Sequence, residues 1–451
     1  MQDNTSSLQL EISYRQILKI ALPISLALLV PQINFITNNI FLGHYSSEAL
    51  AYAGISGVYY LIFAGIGYGL NNGLQSLISR RAGENKPDEI GKIFNQGVYI
   101  ALIIATTGIL FTWFIAPIIL KMVIRSPEAY ENVIGFLKIR IMGLPFLYIY
   151  QMRNALLVGT NQSRYLVAGT LAEAVTNFIF DYVLIFGKAG FPQMGFNGAA
   201  LASIIAEFTG MFVIFLLIYF KGISKRFSLF QKFRWNNYNA RLIASMSAPL
   251  MFQHAISIIS WYFFFILVER NTSITDQGIT NTMRNIFGFF GILSWAFAST
   301  TNTMVSNVIG QAKKEKVYEL IKKIIYISTG TSFVVCLILN LFPHVLLSVF
   351  GQDSNFIQQA IPVVRVVSVA MVMVSFAIVL LYAVTGTGNS KMTFLIELVS
   401  IIVYSVYVFI VLEKLQLGII YGWMSEWLYW FTMFVLSFFY IRSGKWKSRN
   451  I

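Results

Sequence analysis

The chain has 451 residues, of which 57% are apolar and only 12% are charged, whereas soluble domains carry about 25% charged residues. This composition excludes most soluble folds and favours a protein surrounded by lipid. The net charge of +14 does not indicate nucleic-acid binding, because the basic residues are scattered over short loops and form no continuous stripe. Cys336 is the single cysteine, so a disulfide framework and a cysteine-rich metal site are excluded.

Apolar segments recur along the whole chain, each close to the roughly 20 residues that a membrane-spanning helix needs. The first is too long for a cleavable signal peptide, and no small-residue cleavage site follows it. The sequence therefore predicts an all-α polytopic membrane protein with twelve transmembrane helices. The predicted spans are 19–43, 52–78, 93–118, 133–158, 166–187, 195–220, 245–268, 279–306, 324–347, 361–385, 392–412 and 418–441.

The loop charges predict the orientation of these spans, since lysine and arginine favour cytoplasmic loops. With the N-terminus inside, 23 of the 33 lysines and arginines fall on the cytoplasmic side, five fall outside and five lie within spans. Both termini are therefore predicted to be cytoplasmic. The test positions are Arg80, Lys232, Lys314 and the tail after Ile441 inside, with Arg125 and Asp353 outside.

The two halves of the chain resemble each other at a constant spacing. The segment Gly159–Arg164 resembles Gly386–Lys391, 227 residues later, and Gly83 and Gly310 have the same separation. Because six helices return the chain to its starting side, the repeat is parallel, and such transporters bind substrate between their halves. We predict an N-terminal six-helix lobe at residues 1–220, a basic cytoplasmic linker at 221–244 and a C-terminal six-helix lobe at 245–451.

Polar side chains inside the predicted spans are the candidate functional residues. An Asp, Lys or Arg at mid-helix costs roughly 2.5–3.5 kcal/mol on the insertion scale, so those that remain usually face a cavity or the bundle interior. On span five, Glu173, Asn177 and Asp181 recur every fourth residue and share one stripe with Thr170. The other candidates are Asn34, Asn38, Arg153, Asn154, Ser203, Glu207, Glu397, Ser400, Tyr404 and Tyr407.

Some of these groups also have a purely structural interpretation. Glu173 can pair with Arg153, and Glu397 can pair with Arg365. For Asp181 a functional role is favoured, because amide and hydroxyl groups share its stripe and the repeat places an apolar residue at the corresponding position.

Span one contains Pro23 and Pro31, and span seven contains Pro249. Each proline removes a backbone donor and frees a carbonyl group. Because freed carbonyls are tolerated where a helix lines a cavity, we interpret all three as structural kinks.

The chain shows no motif of a known catalytic centre. It contains no zinc-protease His-Glu-x-x-His, no Gly-x-Ser-x-Gly and no nucleotide-binding Walker loop, so the sequence predicts that the protein is not an enzyme. Tryptophans of the second half are interpreted as interfacial anchors, although aromatic rings also bind cations. Those within predicted spans are Trp261, Trp295, Trp423, Trp427 and Trp430.

Several segments resemble multidrug and toxic compound extrusion (MATE) transporters. They are Ala21–Pro23 with Ile40–Ala51 in and after span one, Gln75–Gly83 leaving span two, Asn177–Ile185 in span five and Gly198–Ser203 in span six. The resemblance covers essentially the whole chain. It implies two six-helix lobes and the export of bulky, often cationic organic compounds in exchange for Na⁺ or H⁺.

The resemblance also implies site residues. The coupling site of the branch that carries it in the N-terminal lobe falls on Asn38, Asn177, Asp181 and Ser203, with Asn38 where the family usually has Asp. The acids that another branch carries on helices seven and ten are missing here. The expected substrate-cavity residues are Asn34, Asn154, Glu173, Glu397 and Tyr404.

The leading hypothesis is therefore a monomeric secondary antiporter of the cytoplasmic (inner) membrane. Its expected partners are the lipid bilayer and a small organic substrate, with Na⁺ or H⁺ as coupling ion, no other cofactor and no bound metal except Na⁺ at Asp181. The alternative is a flippase for lipid-linked saccharides or cell-wall precursors, which usually carries extra helices or several cavity arginines for pyrophosphate. A non-transporting sensor or assembly factor is expected to carry an appended soluble domain, which this sequence does not predict.

Overall fold

The computed structural model describes residues 8–124, 126–230, 234–350 and 353–448. Arg125, Lys232 and Arg449, which entered the orientation prediction, lie outside the described residues. Twelve long helices follow one another, which confirms the predicted all-α fold. They are α1 (Tyr14–Tyr45), α2 (Ser47–Gly83), α3 (Pro87–Val123), α4 (Pro127–Gly159), α5 (Leu166–Phe186), α6 (Phe196–Phe220), α7 (Asn237–Asn271), α8 (Ile274–Gly310), α9 (Val317–Leu341), α10 (Ser354–Gly386), α11 (Ser390–Lys414) and α12, made of Ile419–Trp423 and Ser425–Arg442.

Ten of the helices within the described ranges are long and apolar enough to cross a membrane by length and composition. The other two are α8 and α12. Helix α8 carries hydroxyl and amide side chains along much of the stretch from Ser299 to Asn307, and these are buried in the protein rather than turned to lipid. Helix α12 is interrupted at Met424. Both coincide with predicted spans.

Polar caps begin several helices in the loops. The Ser46 hydroxyl accepts a hydrogen bond from the Ala49 N–H at 3.0 Å before α2, and Ser273 forms a reciprocal capping box with Asp276 before α8. The Asp353 carboxylate accepts from the Phe356 N–H at 2.8 Å before α10. These caps satisfy backbone donors that the first turn of a helix leaves without partners.

Large apolar side chains are exposed along the helices, among them Phe114, Phe220 and Leu341. A soluble protein rarely exposes so much contiguous apolar surface. Lipid tails are the natural contact for these side chains, as the composition predicted.

The chain forms two compact units. The first unit holds Leu26–His254, and the second holds Gln9–Ser25 together with the described residues from Ala255 onward. Helices α1 and α7 therefore each begin in one unit and end in the other. The predicted lobes at 1–220 and 245–451 differ from these units at residues 9–25 and 245–254.

In the first unit, α5 packs along α6, and α2 packs on α3 and α4. The packing of α5 on α6 is close, since a Cβ atom on Gly198 of α6 would lie 2.7 Å from the carbonyl carbon and oxygen of Leu184. Most of the predicted linker, from 221 to 244, also belongs to this unit. The Phe230 N–H donates to Asn95 Oδ1 at 3.2 Å, and the Asn236 N–H donates to Gln96 at 2.9 Å.

In the second unit, α10 packs against α8, α9 and α12 and is the most deeply buried of the apolar spans. The segment before α1 is held in this unit by hydrogen bonds to its backbone. The Leu10 N–H donates to Asn307 Oδ1 at 3.0 Å, the Gln311 amide donates to the Leu10 carbonyl at 2.9 Å, and the Lys323 ammonium donates to the Ile12 carbonyl at 3.1 Å. These bonds explain why residues 14–25 of α1 belong to the second unit.

Candidate functional site

One stripe of α5 carries the polar side chains singled out in the sequence. Thr170, Asn177 and Asp181 are exposed by only 2%, 3% and 0%, and Glu173 is half-buried. Asp181 lies in the last turns of the helix, which ends at Phe186. The helical periodicity therefore places the predicted groups on a face turned away from lipid.

Asn38 of α1 meets this stripe inside the first unit. Its side-chain amide nitrogen donates to Asp181 Oδ2, to Asn177 Oδ1 at 3.0 Å and to the Asn34 carbonyl at 3.2 Å. Three oxygen atoms from two helices thus converge on one amide group. A 180° turn of that amide would bring a fourth oxygen to the same point, because the two ends of an asparagine amide have nearly the same shape.

Two polar atoms in this group have no hydrogen-bond partner within the described residues. They are Asp181 Oδ1 and Asn177 Nδ2, both buried. A buried carboxylate oxygen without a donor is costly unless a cation or a proton compensates its charge. The group is therefore chemically incomplete as it stands and suits a small cation or a proton.

The other residues of the predicted coupling site and cavity have fewer contacts with the Asn38 group, or none. Ser203 of α6 is half-buried and makes no hydrogen bond to the Asn38 group in the described part of the chain. The Asn34 carbonyl faces Asn38, while Asn154 Oδ1 on α4 is buried without a partner among the described residues. Pro23, Pro31 and Pro249 all lie inside continuous helices, and their kinking stays a prediction.

A second charged group in the first unit is an ion pair between α4 and α6. The Arg140 guanidinium makes two bonds to the Glu207 carboxylate, at 2.9 Å and 2.5 Å, and the Tyr60 hydroxyl donates to the same carboxylate at 3.0 Å. The guanidinium also lies over the Tyr60 ring at 3.6 Å. This fork geometry is the strongest form of a carboxylate–arginine contact.

The pairing proposed for Glu173 was wrong. The Arg153 guanidinium donates to the Met211 carbonyl and lies over the Phe215 ring at 5.3 Å, and Glu173 forms no ion pair within the described ranges. Helical periodicity could not reveal this outcome, since it does not say which faces of two different helices meet.

In the second unit, Glu397 and Tyr404 of α11 are exposed by only 3% and 2%. Glu397 accepts a hydrogen bond from the Tyr429 hydroxyl of α12. Arg365, its proposed partner, is exposed on α10. Both predicted cavity residues on α11 therefore lie in packed surroundings of this unit.

Sequence reasoning missed the contacts of Arg140 and Tyr60 with Glu207 and of Tyr429 with Glu397. It also passed over Glu426, which accepts a hydrogen bond from the Trp430 indole at 2.8 Å. Glu426 carried a usable signal, because it is an acid within the tryptophan-rich last span, and intramembrane acids are functional candidates by default. No group of three or more His, Cys, Asp or Glu side chains that could hold a metal ion occurs in the part of the chain that the structure describes.

Comparison with protein families identifies the chain. The MatE family matches residues 23–183 and 249–410, one match in each half of the sequence. The chain belongs to the MatE family. The predicted resemblance to MATE transporters is thus confirmed, and the MATE protein is a multi-pass membrane transporter rather than an enzyme.

Related sequences include a probable multidrug resistance protein NorM of Thermotoga maritima, 23% identical over 97% of this chain and 94% of that protein. The uncharacterized transporter YisQ of Bacillus subtilis is 22% identical over 80% of this chain and 79% of its own length. A probable NorM of Halalkalibacterium halodurans is 30% identical over 48% of this chain and 47% of that protein.

Solved structures show the same fold at low sequence identity. A multidrug resistance MATE family transporter, described in an outward-facing conformation, superposes with a TM-score of 0.90 at 15% identity over the whole of both chains. A transporter of the wider MOP superfamily from Pyrococcus furiosus superposes with a TM-score of 0.87 at 16% identity over 96% of each chain.

Proposed function

We propose that this MATE protein is a secondary antiporter that exports organic, cationic and amphiphilic compounds across the cytoplasmic membrane in exchange for Na⁺ or H⁺. The names of its relatives support multidrug efflux. They do not point to lipid-linked saccharides, so the flippase alternative is not retained. We further propose that both termini are cytoplasmic and that the protein acts as a monomer without nucleic acid.

The coupling ion binds at the Asn38, Asn177 and Asp181 group of the first unit, and this group is the observation that carries the proposal. Asp181 Oδ2, Asn177 Oδ1 and the Asn34 carbonyl already point at one place. Hard cations such as Na⁺ prefer oxygen ligands, and the unpartnered Asp181 Oδ1 is a further ligand atom or the site of a proton. Ser203 of α6 is the fifth residue that we propose for this ion site.

The charge of the group fixes how many ions it takes. Asn38 is neutral where related transporters usually carry an acid, so Asp181 supplies at most one negative charge to the group. One monovalent cation or one proton neutralises that charge. A cationic substrate attracted to the same carboxylate competes with the ion, and this competition links export to ion entry through differential binding.

Transport in this proposal proceeds by alternating access of the two units. The chain passes between the units within α1 and within α7, close to Pro23, Pro31 and Pro249. Since a proline leaves a carbonyl group of its own helix without a partner, these helices are the places where bending costs least. Asn34, Asn154, Glu173, Glu397 and Tyr404 are the proposed substrate contacts.

Efflux from membrane vesicles tests the function. Vesicles are loaded with a fluorescent cationic dye, and a Na⁺ gradient and a pH gradient are imposed in separate runs. We expect one of the two gradients to drive dye movement against its concentration difference. Vesicles in which neither gradient moves any dye beyond the rate of protein-free vesicles would contradict the proposal.

A further inference from the structure

The linker between α6 and α7 is strongly basic and contains no acid. No Asp or Glu occurs in the sequence between Glu207 and Glu269. Because α6 ends at Phe220 and α7 begins at Asn237, the linker lies where the chain leaves the apolar region and enters it again. Its six basic residues are Lys221, Lys225, Arg226, Lys232, Arg234 and Arg241, of which Lys232 lies outside the described residues.

The described part of the linker covers the first unit with its apolar side chains. Ile223, Phe227 and Leu229 are exposed by only 3%, 0% and 2%. The backbone lies directly on α3, since a Cβ atom on Gly91 would collide with the Phe227 carbonyl oxygen. Two backbone N–H groups of the linker also donate to side chains of α3. The linker is therefore fixed on the first unit with one of its faces covered.

The basic side chains lie on the other face. Lys221, Lys225, Arg234 and Arg241 are exposed, and none of these four forms an ion pair within the described residues. Positive charges that share a surface without counter-charges raise the local electrostatic potential and attract anions. This face of the linker therefore suits a negatively charged partner.

Two other basic connections compensate their own charge. In the loop between α2 and α3, Arg81 pairs with Glu84 at 2.8 Å. In the connection from α8 to α9, the Glu319 carboxylate pairs with Lys316 at 3.3 Å and with Lys323 at 2.8 Å. Of these three connections, the linker is the one whose sequence contains no acid. The preference of basic residues for one side of the membrane gives all three a positive charge, but it does not account for this difference.

Aromatic side chains are exposed at both ends of the linker. Tyr219 and Phe220, at the end of α6, are exposed by 61% and 75%, and Trp235 and Tyr238, at the start of α7, by 53% and 71%. Such rings lie at the level of the lipid headgroups when they stand at the end of a membrane-spanning helix. The neighbouring basic side chains are then at the depth of the lipid phosphates.

The chemistry of the two sets of side chains selects the partner. A small soluble anion satisfies the ammonium and guanidinium groups but leaves the exposed rings in water. An anionic phospholipid satisfies both, because its phosphate accepts charge-assisted hydrogen bonds and its glycerol and acyl carbons contact the rings. Clusters of lysine and arginine at the end of a membrane-spanning helix favour such lipids.

We propose that the exposed face of the linker binds the headgroups of anionic phospholipids. This role goes beyond the proposed antiport and does not depend on the coupling ion. We call this face the linker surface, formed by Lys221, Lys225, Arg234 and Arg241 with Trp235 and Tyr238.

Lipid retention by the full-length, detergent-solubilised protein tests the proposal. The protein is incubated with equal amounts of phosphatidylglycerol, which is anionic, and phosphatidylcholine, which has no net charge. Free lipid is removed by size exclusion, and the bound lipid is quantified. We expect a preference for phosphatidylglycerol of about tenfold or more that falls as NaCl is raised, because salt screens exposed charges. Equal retention of the two lipids would overturn the proposal.

A triple variant locates the preference on the linker. Each basic residue near an anionic lipid contributes about fivefold to binding, so removing three of them should lower the preference for phosphatidylglycerol by about tenfold or more. A preference equal to that of the wild-type protein would contradict the proposal. The substitutions are Lys221→Gln, Lys225→Gln and Arg241→Gln, all at exposed positions.

A matched control removes the same charge from the second unit. We expect it to keep the preference of the wild-type protein to within about twofold. Equal losses in the two triple variants would show that net charge, rather than the linker surface, attracts the lipid, and would overturn the proposal. The control substitutions are Lys313→Gln, Lys316→Gln and Lys322→Gln, also at exposed positions.

Two further measurements separate the effect of charge from changes in folding and from binding of a soluble phosphate. Lys221→Arg with Lys225→Arg keeps both charges and should retain the preference of the wild-type protein; its loss would contradict an electrostatic origin. Glycerol 1-phosphate, added at the concentration of the lipid, should not displace phosphatidylglycerol. Displacement would show that the linker binds a free phosphate group rather than a lipid, and would overturn the proposal.

Discussion

The ion pair between Arg140 and Glu207 offers a direct test of how the first unit is held together. Both side chains are largely buried, with the shortest nitrogen–oxygen distance at 2.5 Å, and Tyr60 adds a hydrogen bond at 3.0 Å. Glu207→Gln removes the negative charge and leaves the guanidinium buried without a counter-charge. The expected loss is therefore larger than the strength of one hydrogen bond.

Breaking a buried ion pair by removing one partner costs about 3–5 kcal/mol. Losing the Tyr60 hydroxyl costs about 1.5–3 kcal/mol as a hydrogen bond to a charged group, and polar contacts in membranes tend to fall below such values. We expect Glu207→Gln to lower the free energy of unfolding by about 3 kcal/mol and Tyr60→Phe by about 1 kcal/mol. Replacing both ion-pair partners with apolar residues should restore much of the loss.

Equilibrium unfolding in mixed micelles, with sodium dodecyl sulfate as denaturant, measures these differences. The double-mutant cycle uses Arg140→Met, Glu207→Leu and the two together. A coupling energy of at least 1 kcal/mol is expected, since contacting charges are non-additive. Strictly additive losses, or single variants as stable as the wild-type protein, would refute the claim that this pair holds α4 against α6.

Three further outcomes are expected. Gly198→Ala puts a Cβ 2.7 Å from the Leu184 carbonyl group and should cost about 1–3 kcal/mol in the same unfolding assay; a wild-type midpoint would contradict the close packing of α5 on α6. Asn38→Asp adds a second carboxylate beside Asp181, so flux in reconstituted vesicles should change its Na⁺ or pH dependence, and an unchanged dependence would remove Asn38 from the ion site. A cysteine at Lys314, which is partly exposed, should react with impermeant reagent from the cytoplasmic side alone, and labelling from outside would reverse the predicted orientation.

Local patterns were sufficient to predict the helices and the α5 stripe. Lipid penalises every exposed polar group, so membrane-length apolar runs are a strong signal, and a four-residue spacing places Asn177 and Asp181 on one helical face by geometry alone. That Asn38 of α1 meets these two residues was indicated by the family resemblance and by no local pattern.

Contacts between helices far apart in sequence were the part that the sequence did not reveal. Arg153 was considered as a partner of Glu173, whereas the arginine of α4 that forms an ion pair is Arg140, with Glu207 as its partner. Gly143 shows why, because a side chain at this position would meet the Glu207 carboxylate and Arg140. The ion pair therefore fits only because Gly143 has no side chain. Composition and periodicity cannot indicate a requirement that arises from a contact between distant helices.

Gradient-driven transport by Asp181→Asn is the most direct test of the central claim, that one buried carboxylate of the first unit couples ion entry to export. The substitution is nearly isosteric and permanently neutral, and Asp88→Asn, at an exposed position in the first turn of α3, is the matched control. In reconstituted vesicles at equal protein levels, we expect Asp181→Asn to fold and insert but to lose transport against a gradient, while Asp88→Asn transports like the wild-type protein. Full gradient-driven transport by Asp181→Asn would contradict the account and move the coupling role to another acid, with Glu173 and Glu397 next to be tested.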